Sequence, residues 1–266
     1  MSGDILDSML DLMRRLPPTR VEENVALLCE MCPDFADDLL GSVDQPLQLR
    51  LDKTTGKEYL ICDYNRDGES YRSPWSNEYD PPLEEGTQPS VKLRKLEIAA
   101  NEAFDTYREM YFEGGVSSVF LWDLDDGGFA GVVLLKKTLP ASSPEEPSGS
   151  WDSIHVFEAS ERGRTAHYKL TSTIMLQLKV KGEKSGEVDL SGSMTQEDRP
   201  LPDPAAHIAN TGRMVEEMEL KMRNLLQEVY FGKTRDVVFD LRSVESLDKQ
   251  RKQRALQSEL VSFLKR

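Results

Sequence analysis

Apolar residues at the start of the chain recur at helical spacing in three short runs. The runs cover residues 5–16, 21–31 and 35–40, and prolines stop the first two, whereas Gly41 follows the third. This pattern predicts three short helices. Because helices of this length are marginal in water by themselves, we expect them to pack on one another or on a partner chain.

The segment that follows alternates apolar and polar residues, as β-strands do. Residues 47–64 predict two strands joined by a turn at Gly56. Residues 65–89 contain four prolines, which favours an irregular segment over a helix or a central strand. Ser90 is a suitable N-cap for a helix that we expect to run to about Phe112.

The apolar pattern then changes to the period of strands. Five strand-like segments, separated by short turns, cover residues 116–124, 129–139, 151–160, 165–180 and 186–195. Consecutive strands with such connections normally pair as an antiparallel meander. We therefore expect a five-stranded antiparallel sheet in this part of the chain.

A long helix is predicted at 207–231, after a second Pro-rich break at 195–206. Its apolar residues alternate at steps of three and four, which makes one heptad-like stripe. The stripe consists of Ile208, Thr211, Val215, Met218, Met222, Leu225 and Val229. Two interpretations stay open, because such a helix can lie across the sheet and can also face a partner.

Together these patterns predict an α+β protein. Its expected parts are N-terminal helices, an antiparallel five-stranded sheet covered by a long C-terminal helix, and an amphipathic helix at the C-terminus. We divide the chain into a helical segment 1–44, a β and irregular segment 45–89, a helix–sheet–helix segment 90–232 and a C-terminal segment 233–266.

The C-terminal residues 248–266 differ in charge from the rest of the chain. Six basic residues oppose two acidic ones there, whereas the whole chain carries a net charge of −14. Apolar residues at 256, 260, 263 and 264 share one helical face. A basic amphipathic helix of this kind docks on its own domain, lies on a membrane or enters a groove of another protein. The pattern alone leaves these three alternatives open.

Composition narrows the class of protein. Hydrophobic residues make up 38% and charged residues 30% of the chain, and no run of 18 apolar residues occurs, so we expect a soluble protein. The acidic amphipathic N-terminus predicts neither a signal nor a transit peptide. Three cysteines without a secretory signal favour a reducing compartment. The negative net charge repels nucleic acid, so no nucleic-acid partner is expected.

One stretch has the beginnings of a calcium-binding loop. Asp63, Asn65, Asp67 and Gly68 occupy the first positions of such a loop. Pro74, however, stands where the loop needs a Glu with two ligating oxygens. The pattern therefore favours a polar turn over a metal site.

The other potentially reactive residues, cysteines and histidines, do not form a recognisable catalytic or metal-binding motif. Cys29 and Cys32 have the spacing of a redox pair, but they lie in a helical stripe and lack further zinc ligands nearby. The three histidines are far apart in sequence, and no nucleophile or phosphate-loop motif occurs. We expect the protein not to be an enzyme and to need no cofactor or metal.

Several long sequence motifs occur in a characteristic order. The most specific is CDYNRDGESYRSPWSNEYDPPLEEG at 62–86. The other motifs lie at 10–18, 39–47, 92–105, 111–125, 151–158, 163–176, 207–219 and 230–238. Over essentially the whole chain, these motifs resemble the beta subunit family of F-actin capping proteins.

This resemblance implies a specific function. It implies an obligate heterodimer with an alpha subunit, which binds the barbed end of the actin filament without calcium and blocks subunit addition and loss. It also implies a stalk made by the N-terminal helices and the following β segment, and a central sheet continued by the partner. Phosphoinositides, capping-protein regulators and dynactin are further implied partners. The expected location is the cytoplasm, at the cortical actin cytoskeleton.

The resemblance places the actin-binding residues in the C-terminal segment. The expected set is Lys233, Arg235, Lys249, Arg251, Lys252, Arg254, Leu256, Leu260, Phe263 and Leu264. Their basic members would meet an acidic actin surface, and their apolar members would enter a hydrophobic groove. The alternative function is a membrane-surface or cytoskeletal adaptor that uses the same basic tail.

Overall fold

The structure is a computed structural model, and it divides the chain into two compact units, Met1–Glu216 and Glu217–Arg266. The first unit holds the N-terminal helices and the described strands, and the second begins within the last described helix. The structure describes residues 2–125, 127–140, 146, 148–162, 165–182, 186–199, 203–204, 206–228, 252 and 255.

The described residues form five α-helices that agree with the apolar runs of the sequence. They are α1 (Ser2–Arg15), α2 (Val21–Met31), α3 (Ala36–Ser42), α4 (Val91–Tyr111) and α5 (His207–Gln227). The three short helices α1, α2 and α3 pack around a common apolar cluster that includes Met13, Val25 and Leu39. Each gains from this packing the stability that it lacks alone. The predicted N-terminal helices are confirmed.

Eleven strands are present in the described residues. They are β1 (Gln48–Leu51), β2 (Glu58–Ile61), β3 (Arg66–Asp67), β4 (Ser70–Arg72), β5 (Tyr79–Asp80), β6 (Val116–Asp123), β7 (Phe129–Leu139), β8 (Ser148–Arg162), β9 (Thr165–Gly182), β10 (Gly186–Asp198) and β11 (Asp203–Pro204). The predicted hairpin is confirmed as β1 paired antiparallel with β2. The expectation of an irregular segment at 65–89 needs correction, since β3, β4 and β5 form a small antiparallel sheet there. Strands this short carry too little alternation to be seen in the sequence.

The main sheet has the order β10-β9-β8-β7-β6, with every neighbouring pair antiparallel. This confirms the predicted five-stranded meander, and β11 adds two residues beside the start of β9. The β1–β2 hairpin packs on the sheet, where Leu60 joins Phe120, Val132 and Ile154 in one buried cluster. The hairpin is also tied to β8, because the backbone N–H of Leu47 donates to the Asp152 carboxylate at 3.0 Å.

Helix α4 begins and ends where the sequence predicts. The hydroxyl of Ser90 accepts a hydrogen bond from the backbone N–H of Leu93, which is an ordinary N-cap. At the other end the chain reverses into β6, and Gly114 adopts a φ of +72° that favours glycine. The reversal lays α4 antiparallel along β6.

Helix α5 carries the predicted stripe. Within the first unit its initial residue His207 packs edge-on against Phe129 of β7, with ring centroids 4.9 Å apart. Its Asn210 donates to the Tyr168 hydroxyl of β9 at 3.2 Å. Three residues of the stripe are buried. Val215 belongs to the first unit, and Met218 and Met222 belong to the second. The predicted α+β fold, with N-terminal helices, a five-stranded antiparallel sheet and a C-terminal helix, is confirmed. The predicted amphipathic tail helix lies outside the described residues, apart from residues 252 and 255.

Candidate partner-binding surfaces

Most of the predicted actin-binding residues lie outside the described residues. These are Lys233, Arg235, Lys249, Arg251, Arg254, Leu256, Leu260, Phe263 and Leu264. Lys252 is described, and it is helical and exposed to solvent. The assignment of these ten residues to actin therefore stays a prediction.

The outer edge of β6 is occupied by side chains instead of by another strand. The side-chain amide of Asn101 accepts from the backbone N–H of Val119 at 2.9 Å and donates to the Val119 carbonyl at 2.8 Å. The carboxylate of Glu97 accepts from the backbone N–H of Leu121 at 2.6 Å. Glu97 and Asn101 are both buried on α4. They satisfy backbone groups that an edge strand otherwise leaves open to pairing.

The opposite edge of the sheet, β10, has a different environment. Within the described residues its ladder partner is β9, along a register from Gly186↔Gly182 to Asp198↔Leu170. Beside β9, the strand β11 continues past the end of β10 at Ala166 and Thr165. A long edge strand of this kind is a ready template for strand addition by another chain. Among the described residues, β10 is the longer of the two sheet edges, and α1 lies against it.

The N-terminal helices and β1 also expose apolar side chains. Leu27 is 52% and Met31 76% exposed on α2, and Leu40 of α3 is 62% exposed. Leu12 of α1 and Leu51 of β1 are exposed as well. Single exposed apolar residues are ordinary, but several on neighbouring short elements indicate a surface that a partner covers.

The stretch 63–74 forms a turn, as the sequence indicated. Gly68 has a φ of +58° between β3 and β4, where Asp67 pairs with Ser70. Asn65 uses its buried amide on the backbone: its oxygen accepts from the Cys62 N–H at 2.9 Å and its nitrogen donates to the Arg72 carbonyl at 3.0 Å. Asn65, which would be a ligand in a calcium-binding loop, thus stabilises the turn through hydrogen bonds to the backbone. In the described residues no group of three or more His, Cys, Asp or Glu is arranged to hold a metal ion.

A buried ion cluster connects this turn segment to α4. The guanidinium of Arg72 donates to both oxygens of Glu97, at 2.8 and 2.7 Å, and also to the Asn77 side chain at 2.7 Å. Arg94 pairs with the same carboxylate and donates to the Trp75 carbonyl at 3.0 Å. Bidentate pairs of this kind are both strong and directional. The cluster therefore fixes the position of Glu97 at the β6 edge.

Asp52 orders the loop between β1 and β2 and ties it to the segment after β4. Its carboxylate accepts from the Ser73 hydroxyl and from the backbone N–H groups of Thr54 and Thr55 at 2.8 and 3.0 Å. Burial by itself raises the pKa of Asp52, but these hydrogen bonds and that from Ser76 outweigh burial and hold the pKa well below its usual range. The ionised form is the one that the fold stabilises.

The histidines and cysteines take part in packing. His155 is fully buried on β8, where its Nδ1 lies 2.7 Å from the Ser172 hydroxyl of β9. His207 lies between the Tyr168 hydroxyl and the Glu161 carboxylate, each 3.0 Å from a ring nitrogen. Burial raises the pKa of the Cys62 thiol to about 12, against weaker lowering by backbone hydrogen bonds. All three cysteines, Cys29, Cys32 and Cys62, are half-buried free thiols.

Sequence reasoning missed the residues that close the β6 edge. Glu97 and Asn101 are polar residues four positions apart, between the buried positions Leu93, Ala100 and Phe104 of α4. In the sequence, the available sign of their role was a pair of polar residues at this spacing within an otherwise apolar helix face. It indicates buried partners but not their identity, because the backbone groups that they bond belong to a strand about 20 residues away along the chain.

These features define a class of protein that associates through its surfaces. It has a sheet with a β6 edge closed by side chains and a long β10 strand at the other edge, exposed apolar residues on its N-terminal helices, and a basic C-terminal segment. No described helix is long and apolar enough to cross a membrane.

Comparison with known proteins gives the particular family. The sequence profile described as "F-actin capping protein, beta subunit" matches residues 6–238. The chain is 59% identical over 263 residues to the F-actin-capping protein subunit beta of Aspergillus oryzae, covering 98% of each chain. It is 56% identical over 258 residues to the subunit of the same name from Caenorhabditis elegans, covering 96% of this chain and 95% of that relative. The chain belongs to the F-actin capping protein beta subunit family.

A solved structure shows a similar fold at much lower identity. It is the homodimeric actin capping protein alpha subunit from Plasmodium berghei, which is 15% identical and has a TM-score of 0.53. The match covers 93% of this chain and 99% of that one. The likeness concerns the fold alone.

Proposed function

We propose that this chain is the beta subunit of a heterodimeric actin-filament capping protein. As such it binds filament barbed ends without calcium and blocks the addition and loss of actin subunits. The observation that carries the proposal is end-to-end identity above one half with relatives of that name from a fungus and a nematode. Capping makes and breaks no covalent bond, so it calls for no catalytic group and no cofactor.

The geometry supports an alpha subunit as the obligate partner. The β10 edge is a long strand, Gly186–Asp198, whose ladder partner among the described residues is β9, and a partner with the same fold can continue the sheet along it. The exposed apolar residues of α1, α2 and α3 supply a second surface on the same chain. Together they support a stalk and a shared sheet as the two parts of the heterodimer interface.

The tail provides the actin-binding residues in this proposal. Lys249, Arg251, Lys252 and Arg254, with Lys233 and Arg235, attract the acidic filament and govern the association rate. Leu256, Leu260, Phe263 and Leu264 enter a groove on actin and govern the dissociation rate. The proposed location is the cytoplasm, at the cortical actin cytoskeleton.

The alternative of a membrane-surface adaptor draws on the same basic tail. A lipid surface would recognise its charge as well as actin does. The family membership favours the filament end, because the relatives that match along their whole length are named for F-actin capping. Binding to phosphoinositides, other regulators or dynactin would come in addition to capping.

The experiment is elongation of pyrene-actin from barbed ends with the chain co-expressed with an alpha subunit. We expect growth to stop at substoichiometric heterodimer, with or without calcium. Deletion of 248–266 should leave the heterodimer intact and weaken capping. Changing the four apolar tail residues to Ser should speed dissociation, whereas changing Lys249, Arg251, Lys252 and Arg254 to Gln should slow association and flatten its salt dependence.

A matched control changes Gln250 and Gln257, which lie on the same tail but carry neither charge nor an apolar group. Full capping after deletion of the tail would refute the residue assignment. Failure of the intact heterodimer to cap, together with sedimentation on phosphoinositide vesicles, would instead support the adaptor.

A further inference from the structure

We propose that Glu97 and Asn101 act as a substitute strand that closes the β6 edge of the sheet to pairing with another chain. The two residues thereby keep this edge out of strand-to-strand assembly. The measurements in the heterodimer rest on the proposed function. Closure of the β6 edge stands on its own contacts.

The spacing of the two residues on α4 matches the spacing of the backbone groups on β6. Residues four apart on an α-helix are separated by about 6.0 Å along the axis. Residues two apart on a strand, which present N–H and C=O groups to the same edge, are separated by about 6.6 to 6.8 Å. Glu97 bonds Leu121 and Asn101 bonds Val119, so a step of four on α4 meets a step of two on β6.

The side chains also reproduce the donors and acceptors of a neighbouring strand. The Asn101 amide both accepts from and donates to Val119, as a strand residue in a hydrogen-bonded antiparallel pair does. At Leu121 the two roles are divided, because Glu97 accepts from the N–H and Arg72 approaches the carbonyl at 3.5 Å. Both outward groups of both strand residues are thus engaged.

The cover is held in place by charge. Glu97 is bonded to Arg72 and Arg94, and its side chain is fully buried. At the start of α4 the Asp123 carboxylate accepts from the Ser90 backbone N–H at 2.7 Å and from its hydroxyl at 2.8 Å. An invading strand would have to break these bonds and leave buried charges unpaired. Natural sheets protect edges by such inward-pointing charged groups and by covering helices.

The decisive variant is Asn101→Leu, which keeps the approximate size of the side chain and removes both hydrogen bonds to Val119. Asn101→Asp keeps the acceptor and removes the donor. Glu102→Gln is the control, because Glu102 is the next residue of α4 and is exposed. Each variant is co-expressed with an alpha subunit, and two quantities are measured: hydrogen exchange of the β6 amides, and mass by light scattering over a range of concentrations.

We expect the Val119 and Leu121 amides of the unaltered heterodimer to exchange as slowly as those inside the sheet. Asn101→Leu should speed exchange at Val119 by about tenfold to hundredfold. It should also produce a concentration-dependent doubling of mass, as β6 pairs with β6 of a second copy. Asn101→Asp should lie between Asn101→Leu and the control, and Glu102→Gln should match the unaltered protein.

Three outcomes would overturn the proposal. The first is fast exchange of Val119 and Leu121 in the unaltered protein, a measurement that stands even if Asn101→Leu does not fold. The second is faster exchange in Asn101→Leu without any change of mass. The third is a doubling of mass in Glu102→Gln. If the unaltered chain forms no heterodimer or does not cap, the proposed function fails, while slow exchange of the β6 amides would still support closure of that edge.

Discussion

Removal of the Glu97 carboxylate should be among the most damaging single changes in the chain. Glu97 is 0% and Arg72 4% exposed, and the pair is bidentate at 2.8 and 2.7 Å. Glu97→Leu leaves the Arg72 guanidinium buried without its carboxylate, which costs about 3–5 kcal/mol. It also leaves the Leu121 N–H without an acceptor, at about 1–3 kcal/mol. We therefore expect a loss of about 4–8 kcal/mol.

The two partners of this pair should not be equivalent. Arg72→Met leaves Glu97 with Arg94 as a second cation and with its Leu121 hydrogen bond, so its cost should be smaller, about 2–3 kcal/mol. The double variant should cost less than the sum of the two single variants, because the Arg72 guanidinium is then no longer buried without its carboxylate. Glu102→Leu, on the exposed face of the same helix, is the matched control and should change stability by less than about 0.5 kcal/mol.

The assay is urea unfolding of the co-expressed heterodimer at one fixed protein concentration, since association adds to apparent stability. With a slope of about 3 kcal/mol per molar urea, a loss of about 4–8 kcal/mol moves the midpoint by about 1.3–2.7 M. The reasoning is refuted if Arg72→Met costs as much as Glu97→Leu, or if the double variant costs the full sum. Either result would mean that the pair is not the dominant buried interaction at this site.

Three further predictions concern other parts of the chain. The pKa of Asp52 is lower in the folded state than in the unfolded state, so its contribution to stability is present above the unfolded pKa of about 3.9 and is lost as the pH falls below that value. Asp52→Asn should therefore flatten the acid side of a curve of unfolding free energy against pH. An unchanged acid side would contradict this. Cys62 is half-buried like Cys29 and Cys32, but its pKa is raised to about 12, so we expect it to react most slowly of the three with iodoacetamide at pH 8. Peptide mass spectrometry would show the order, and alkylation of Cys62 first would contradict this reasoning. Leu27 of α2 is 52% exposed, and Leu27→Glu should speed the exchange of bound alpha subunit for free alpha subunit about tenfold while leaving the α-helix content unchanged. Glu23→Gln on the same helix is the control. Equal exchange rates for the two variants would remove α2 from the interface.

The periodic parts of the fold were predictable from the sequence. The steps of three and four in α1, α2 and α5 follow from which face of each helix is buried. Strands β6 and β7 were visible instead as nearly continuous apolar runs, because both of their faces are buried. Short connections then made an antiparallel meander the expected arrangement. The family could also be recognised in advance, because motifs such as the one at 62–86 are specific in their residues and in their order along the chain.

The small sheet β3–β5 and the role of Asn65 could not be read in the same way. Strands of two or three residues show no period, and Asn65 looked like part of a polar turn without a visible bonding partner. The tail residues were assigned by resemblance and amphipathic pattern, and the capping assay tests this prediction.

By itself, the sequence determined the periodic elements, their order and the family, because local spacing and specific sequence motifs are properties of the chain. Only the tertiary structure decided which sheet edge is closed. Glu97 and Asn101 are about 20 residues from the backbone groups that they bond, and they meet them because α4 folds back along β6. A hydrogen-bond partner is chosen by distance in space, and the antiparallel reversal at Gly114 is what brings these groups within bonding distance.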